Sequence, residues 1–235
     1  MSIAPVTFRS EWVEPRSRLS TFFRWLLVIP HLIVVFFWGI AAFFAIVVAW
    51  FAIVITGRWP QGLYDFVAGF LRYTTYVNGY AYLLTDRFPP FSGKDDSYPV
   101  QLGIGPPKPE YNRLTAAFRL ILFIPVYIIS YALSLVAGLG AFLAWFAIVI
   151  LGRQIKPLEE MIVLGLSYQQ RSMAYGALVS EEWPPFSSPD AELERGPDGG
   201  TLGPGSGPSP GGFAPPQAPS RSGSDSGLTS GDRRD

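Results

Sequence analysis

Side chains able to do chemistry are few in this sequence. The chain has one histidine, His31, and no cysteine. Disulfide frameworks, thiolate metal sites, cysteine nucleophiles and histidine-rich metal centres are therefore excluded. A serine nucleophile needs a histidine base held by an acid, and no repeated constellation of that kind exists here. Acid–base work would fall to Asp65, Glu159 or Glu160 without help from histidine or cysteine. Arg58, Asp65 and Arg72 are spaced for an interfacial polar cluster, echoed by Arg153 and Glu160. An ion-pair network that holds a helix in place explains these five residues as well as a binding site does. The expectation is a protein that is not an enzyme, with no catalytic residue, cofactor or metal.

His31 is the weak intramembrane candidate. It follows Pro30 inside an uncharged stretch, where an ionisable side chain is functional by default. The equivalent position later in the chain is Val126, which favours a buried neutral histidine bonded to its surroundings.

The element that carries His31 is the dominant feature of the sequence. From Trp25 to Ile55, 31 residues pass without a formal charge, and from Leu120 to Leu151 another 32. Both runs exceed the roughly 18 apolar residues that make a membrane helix the default reading. The first is too long for the apolar region of a signal peptide, about 7–15 residues. The whole chain of 235 residues is 49% hydrophobic and 15% charged, against about 25% charged in ordinary soluble domains. The formal net charge is zero, and residues 1–187 at +3 are offset by −3 in the remainder. Neither balance suggests a nucleic-acid partner.

The two runs belong to a tandem repeat with an offset of 95 residues. Arg18-Leu19, Phe23-Arg24 and Pro30 return as Arg113-Leu114, Phe118-Arg119 and Pro125. Ala49 to Ile55 returns letter for letter as Ala144 to Ile150, followed by Gly57-Arg58 and Gly152-Arg153. The modules are residues 1–94 and 95–187, and 188–235 form a Gly/Pro/Ser-rich tail expected to be disordered. Gly57 and Gly152 read as helix C-caps, with Arg58 and Arg153 placed to meet the negative helix ends and lipid phosphates.

Each module opens with a short extended piece, Pro5 to Phe8 and Pro99 to Leu102, and the two can pair as a small sheet. After each apolar run comes an amphipathic helix: Leu63, Phe66, Val67, Phe70 and Leu71 share one face, as do Leu158, Met161, Ile162 and Leu166. Crossing the bilayer would place Arg72 or Arg171 near its centre, so an interfacial position is expected. The runs themselves would form helices of about 46 Å against a hydrocarbon core of about 30 Å. Bending near Gly39, and between Ser134 and Gly140, would make each a helical hairpin. Arginines and lysines flank both runs at both ends, and by the positive-inside rule this favours the hairpin over a single long span. On that topology the N-terminus, the linker and the tail all face the cytoplasm.

The segments Arg18 to Arg24, Ile29 to His31, Ala49 to Ile53, Thr56 to Arg58 and Leu83 to Phe91 together resemble a largely actinobacterial family of membrane proteins. That family carries only a domain-of-unknown-function label, numbered four-three-eight-nine. The resemblance covers residues 5–187 and implies an integral membrane protein, without supplying an activity or a substrate. The second module departs from the pattern at Val126 and at Glu181-Glu182-Trp183. The expected architecture is all-α: two membrane modules, each with a hairpin or kinked long helix and an interfacial amphipathic helix. The expected location is multi-pass in a bacterial cytoplasmic membrane. A non-enzymatic scaffold or interaction protein is favoured, with a small transporter or channel component as the alternative. Expected partners are the lipid bilayer and proteins docking through the tail or the amphipathic helices.

Overall fold

The structure is a computed structural model that describes residues 6–12, 16–91 and 97–185. The tail, residues 188–235, and the module boundary at 94/95 lie outside the described residues.

The first apolar run lies within one helix, α1 (Arg18–Thr56). Its N-cap is Ser17, whose Oγ accepts the Ser20 N–H, and its C-cap is Gly57 at φ +74°, whose N–H donates to the Ile53 carbonyl. The second run follows the same plan, with an interruption just before it. A short α3 (Arg113–Ala117), capped by the Asn112 side chain, ends at Phe118, and α4 (Arg119–Leu151) then runs to Gly152 at φ +75°. Of the two forms expected for each run, both are long helices, so the hairpin expectation is corrected. The segments offered as bends carry no turn: Gly39 packs against Phe70, while Gly138 and Gly140 stay helical. Without polar or turn-forming residues to receive freed backbone groups, continuing the helix keeps the backbone N–H and C=O groups paired except where a proline lacks an N–H. Pro30 and Pro125 are held inside the helices.

The expected amphipathic helices are α2 (Gln61–Ala81) and α5 (Lys156–Gly176), and their apolar sides bury against protein. Helix α2 runs back along α1, with Trp38 beside Phe66 and Phe70, His31 beside Tyr73 and Arg24 beside Tyr80. Helix α5 runs back along α4, from Ile162 near Gly140 to Gly176 near Phe123. Arg171 is consequently buried in protein and meets the Pro185 carbonyl. Both helices stop at a leucine with positive φ, Leu83 (+65°) and Leu178 (+62°), one repeat apart.

The two extended pieces do pair, as strands β1 (Thr7–Ser10) and β2 (Val100–Gly103), antiparallel with Phe8 opposite Leu102. Phe8, Val100 and Leu102 are buried beneath the ribbon, while Arg9 is exposed. The ribbon rests on α2 and α5, and these rest on α1 and α4.

Contacts between the modules recur with the partners exchanged. Trp50 Nε1 donates to the Ala116 carbonyl, and Trp145 Nε1 to that of Thr21. Arg113 lies against Gly57, and Arg18 against Gly152. Equivalent residues Thr75 and Gln170 meet each other through a 3.1 Å hydrogen bond. The modules are thus related by an approximate two-fold axis, with α1 and α4 antiparallel at their ends.

Candidate functional site

Sequence reasoning grouped Arg58, Asp65 and Arg72, and the fold gives each a different environment. Arg58 is exposed just past the α1 cap. Asp65 accepts from Gln61 Nε2, one turn earlier on α2, at 3.3 Å. Arg72 donates to the Ile104 carbonyl at 3.1 Å, tying α2 to the segment after β2. Arg153 and Glu160 are both exposed, and among the described residues no ion pair joins them.

His31 lies in the most specific polar arrangement on the long helices. It is fully buried, and its Nδ1 is 2.8 Å from the Tyr73 hydroxyl of α2. The rings of Phe88 and Phe91, from the Pro-Pro-Phe segment after α2, each lie 4.5 Å from the imidazole, the second stacked on it. Tyr73 in turn stacks on Trp38 at 5.4 Å. One face of α1 is therefore clasped by the segment that follows α2. Two turns earlier on the same face, Arg24 donates to the carbonyls of Tyr80 and Thr85 at 2.8 and 2.9 Å and pairs with Asp86. Asp86 also accepts the Ser17 N–H at the start of α1. A carboxylate there both caps the helix N-terminus and compensates a buried guanidinium.

Module 2 keeps the carboxylate and changes its company. Glu181 stands in the position of Asp86 and accepts from Asn112 N–H, the equivalent of Ser17, at 2.8 Å, and from Lys108 Nζ at 2.9 Å. Arg119, equivalent to Arg24, lies 4.0 Å over the Tyr175 ring. A further ion pair links the modules: Arg16, from the arm before α1, donates to Glu159 at 3.1 Å with both side chains buried. Its repeat equivalent is Tyr111 near Tyr64, whose hydroxyl reaches the Gly105 carbonyl at 2.7 Å. Burial pushes the phenols of Tyr111 and Tyr98 up, so both stay neutral hydroxyls near neutral pH.

Sequence reasoning missed Arg16, Arg24, Asp86 and Glu181. A signal was present for three of them. Arginine recurs at 24 and 119, and a carboxylate recurs at 86 and 181, through one offset. Arg16 and Glu159 are not repeated, so periodicity could not expose them. The arrangement is an acid and a guanidinium that neutralise each other beside a histidine whose Nδ1 is engaged. Its bonds tie α1 to α2 and to the turn that follows α2.

No curated protein and no solved structure matches the chain. One family model matches residues 18–93 and again residues 113–188, that of the Domain of unknown function (DUF4389). These two copies span the clasped helices of both modules and more than half of the sequence, and the chain therefore belongs to the DUF4389 family, as a tandem pair.

Proposed function

We propose that this chain is an integral protein of a bacterial cytoplasmic membrane and that it acts without catalysis, as a membrane-held scaffold. The observation that carries the proposal is how the surface is divided. Exposed large apolar side chains crowd α1 and α4, among them Trp25 (76%), Phe37 (65%), Leu120 (75%) and Ile128 (62%). Patches of that extent mark a membrane or partner surface. The charged residues Arg9, Glu11, Asp65, Arg87 and Glu160 are instead exposed on the ribbon, α2, α5 and the segments joined to them. Arg24 and His31, buried on α1, are engaged in holding α2 and its following turn, which supports a scaffold over a solute path.

Division into an apolar layer and a polar layer favours insertion from one side, with α1 and α4 lying steeply tilted in the bilayer. The N-terminal arm, linker and tail then share the cytoplasmic side, as the sequence leads one to expect, without hairpins. The multi-pass alternative rests on helices of 39 and 33 residues, each long and apolar enough to cross a membrane. It places the exchanged ends of the molecule, marked by Arg58 and Arg153, on opposite faces.

Because the chain has no cysteine, single-cysteine labelling tests this directly. Arg58→Cys and Arg153→Cys should react with an impermeant maleimide in inside-out vesicles and stay unlabelled in right-side-out ones. Labelling from opposite sides would establish two crossings. The same protein in liposomes should pass no solute or ion, and flux abolished by His31→Ala would overturn the scaffold reading.

A further inference from the structure

Between the modules lies a cavity of about 550 Å³, within the range of small-molecule sites. Arg24 and Trp25 of α1 form one wall, the turn at Tyr82 and Leu83 a second, and Gly138, Ala141, Phe142 and Trp145 of α4 the third. We propose that this groove holds an acyl chain of a bilayer glycerophospholipid. The proposal rests on the membrane reading above, and three observations carry it further.

First, the groove lies where the repeats diverge. Gly138 and Ala141 stand where module 1 has Phe43 and Ile46. A side chain built at Gly138 would meet nothing within 4 Å, so the missing ring leaves open space. Second, the lining is chiefly apolar, and besides the Tyr82 hydroxyl and the Trp25 indole N–H its polar groups are largely engaged within the protein. Trp145 Nε1 is engaged by the Thr21 carbonyl, and Nη1 and Nη2 of Arg24 by Tyr80, Thr85 and Asp86. Apolar space of this kind is poor for water and forfeits dispersion contacts if empty. Third, the walls continue into the apolar face of the long helices. Trp25 and Phe142 are 76% and 60% exposed, so the groove is flanked by the residues assigned to lipid. A hydrocarbon chain already present at that surface fits all three.

Native mass spectrometry of the full-length chain, extracted from membranes in mild detergent, tests this. The wild type should retain one phospholipid after the detergent is stripped. Gly138→Phe combined with Ala141→Ile, which restores the side chains of the other repeat, should lower retention at least tenfold. Gly138→Leu alone, directed into the open space, should lower it in the same direction and serves where the double variant does not fold. Leu139→Phe, on the exposed face outside the groove, should retain lipid like the wild type. Equal retention in wild type and filled variants overturns the proposal, as does a wild type that carries no lipid or carries a free fatty acid instead. Failure of the membrane reading would look different: alkaline carbonate would release the chain from membranes before any lipid was measured.

Discussion

The two modules share a topology and differ in how their helix pairs are filled. In module 1, α1 and α2 are held apart by rings: Trp38 lies 6.0 Å from Phe66, 6.2 Å from Phe70 and 5.4 Å from Tyr73. In module 2 the equivalents of Trp38 and Phe70 are Leu133 and Gly165, and α5 closes until a side chain at Gly165 would strike the Leu133 carbonyl. What is common to both must serve the shared fold: the glycine caps, the tryptophans bonded across to the other module, and the carboxylate at 86 and 181. What differs is free to specialise, and it includes His31 and the groove at Gly138.

The comparison breaks most readily at the paired arginines. Arg24 is fastened by an acid and two carbonyls and leaves only its Nε unbonded, whereas Arg119 lies over a ring with both its Nε and Nη1 unbonded. Arg24→Ala strands Asp86 and should destabilise by about 3–5 kcal/mol, the cost of breaking a buried pair. Arg119→Ala gives up a cation–π contact of about 2 kcal/mol and relieves an imperfectly satisfied charge, so its net loss is smaller. Thermal unfolding of the solubilised full chain measures both. Equal losses would mean that module 2 fastens its helix as firmly as module 1.

Exchanging the packing residues sharpens the same point. Gly165→Phe, the residue of module 1, cannot be absorbed by rotamer changes because backbone blocks it. Its cost should reach the upper end of the about 1–3 kcal/mol typical of overpacking. Phe70→Gly leaves a cavity beside Trp38 and Gly39, and its cost falls at or below the low end of the about 3–5 kcal/mol for losing a large ring, since Phe70 is half-buried. Unfolding midpoints again decide. A neutral Gly165→Phe would show that α5 is free to stand off from α4.

Much of this architecture is legible in the residues, and the parts that are not fail for a physical reason. Two uncharged runs, the offset of 95, Gly57 and Gly152 as caps, and two short extended pieces suffice for the helices and the ribbon. The hairpin could not be excluded in advance, because an apolar segment looks the same whether it bends in lipid or continues along a partner. For the same reason the apolar side of α2 did not disclose that it faces α1 and not the interface. Charges were harder. Spacing along one helix suggested Arg58, Asp65 and Arg72, yet the partners that matter, Arg24 with Asp86 and Arg16 with Glu159, lie 62 and 143 residues apart. Only the symmetry of the repeat could have paired the first, and nothing local could have paired the second.

His31 makes the smallest and most discriminating test. If its role is to fasten α2, the imidazole is one answer to a packing problem that module 2 solves with Val126. Installing that answer by His31→Val leaves the Tyr73 hydroxyl without its 2.8 Å partner between α1 and α2. A stranded buried hydroxyl costs about 1–3 kcal/mol, or about 2–4 °C of midpoint for each kcal/mol in a chain of this size. Adding Tyr73→Phe removes the stranded group, so the double variant should recover the part of the loss that the hydroxyl causes, leaving only what the missing imidazole gives up against Phe88 and Phe91. That non-additivity is the signature of a fastening. If Tyr73→Phe rescues nothing, His31 contributes through something other than the bond to Tyr73, and module 1 then holds a function that module 2 lacks.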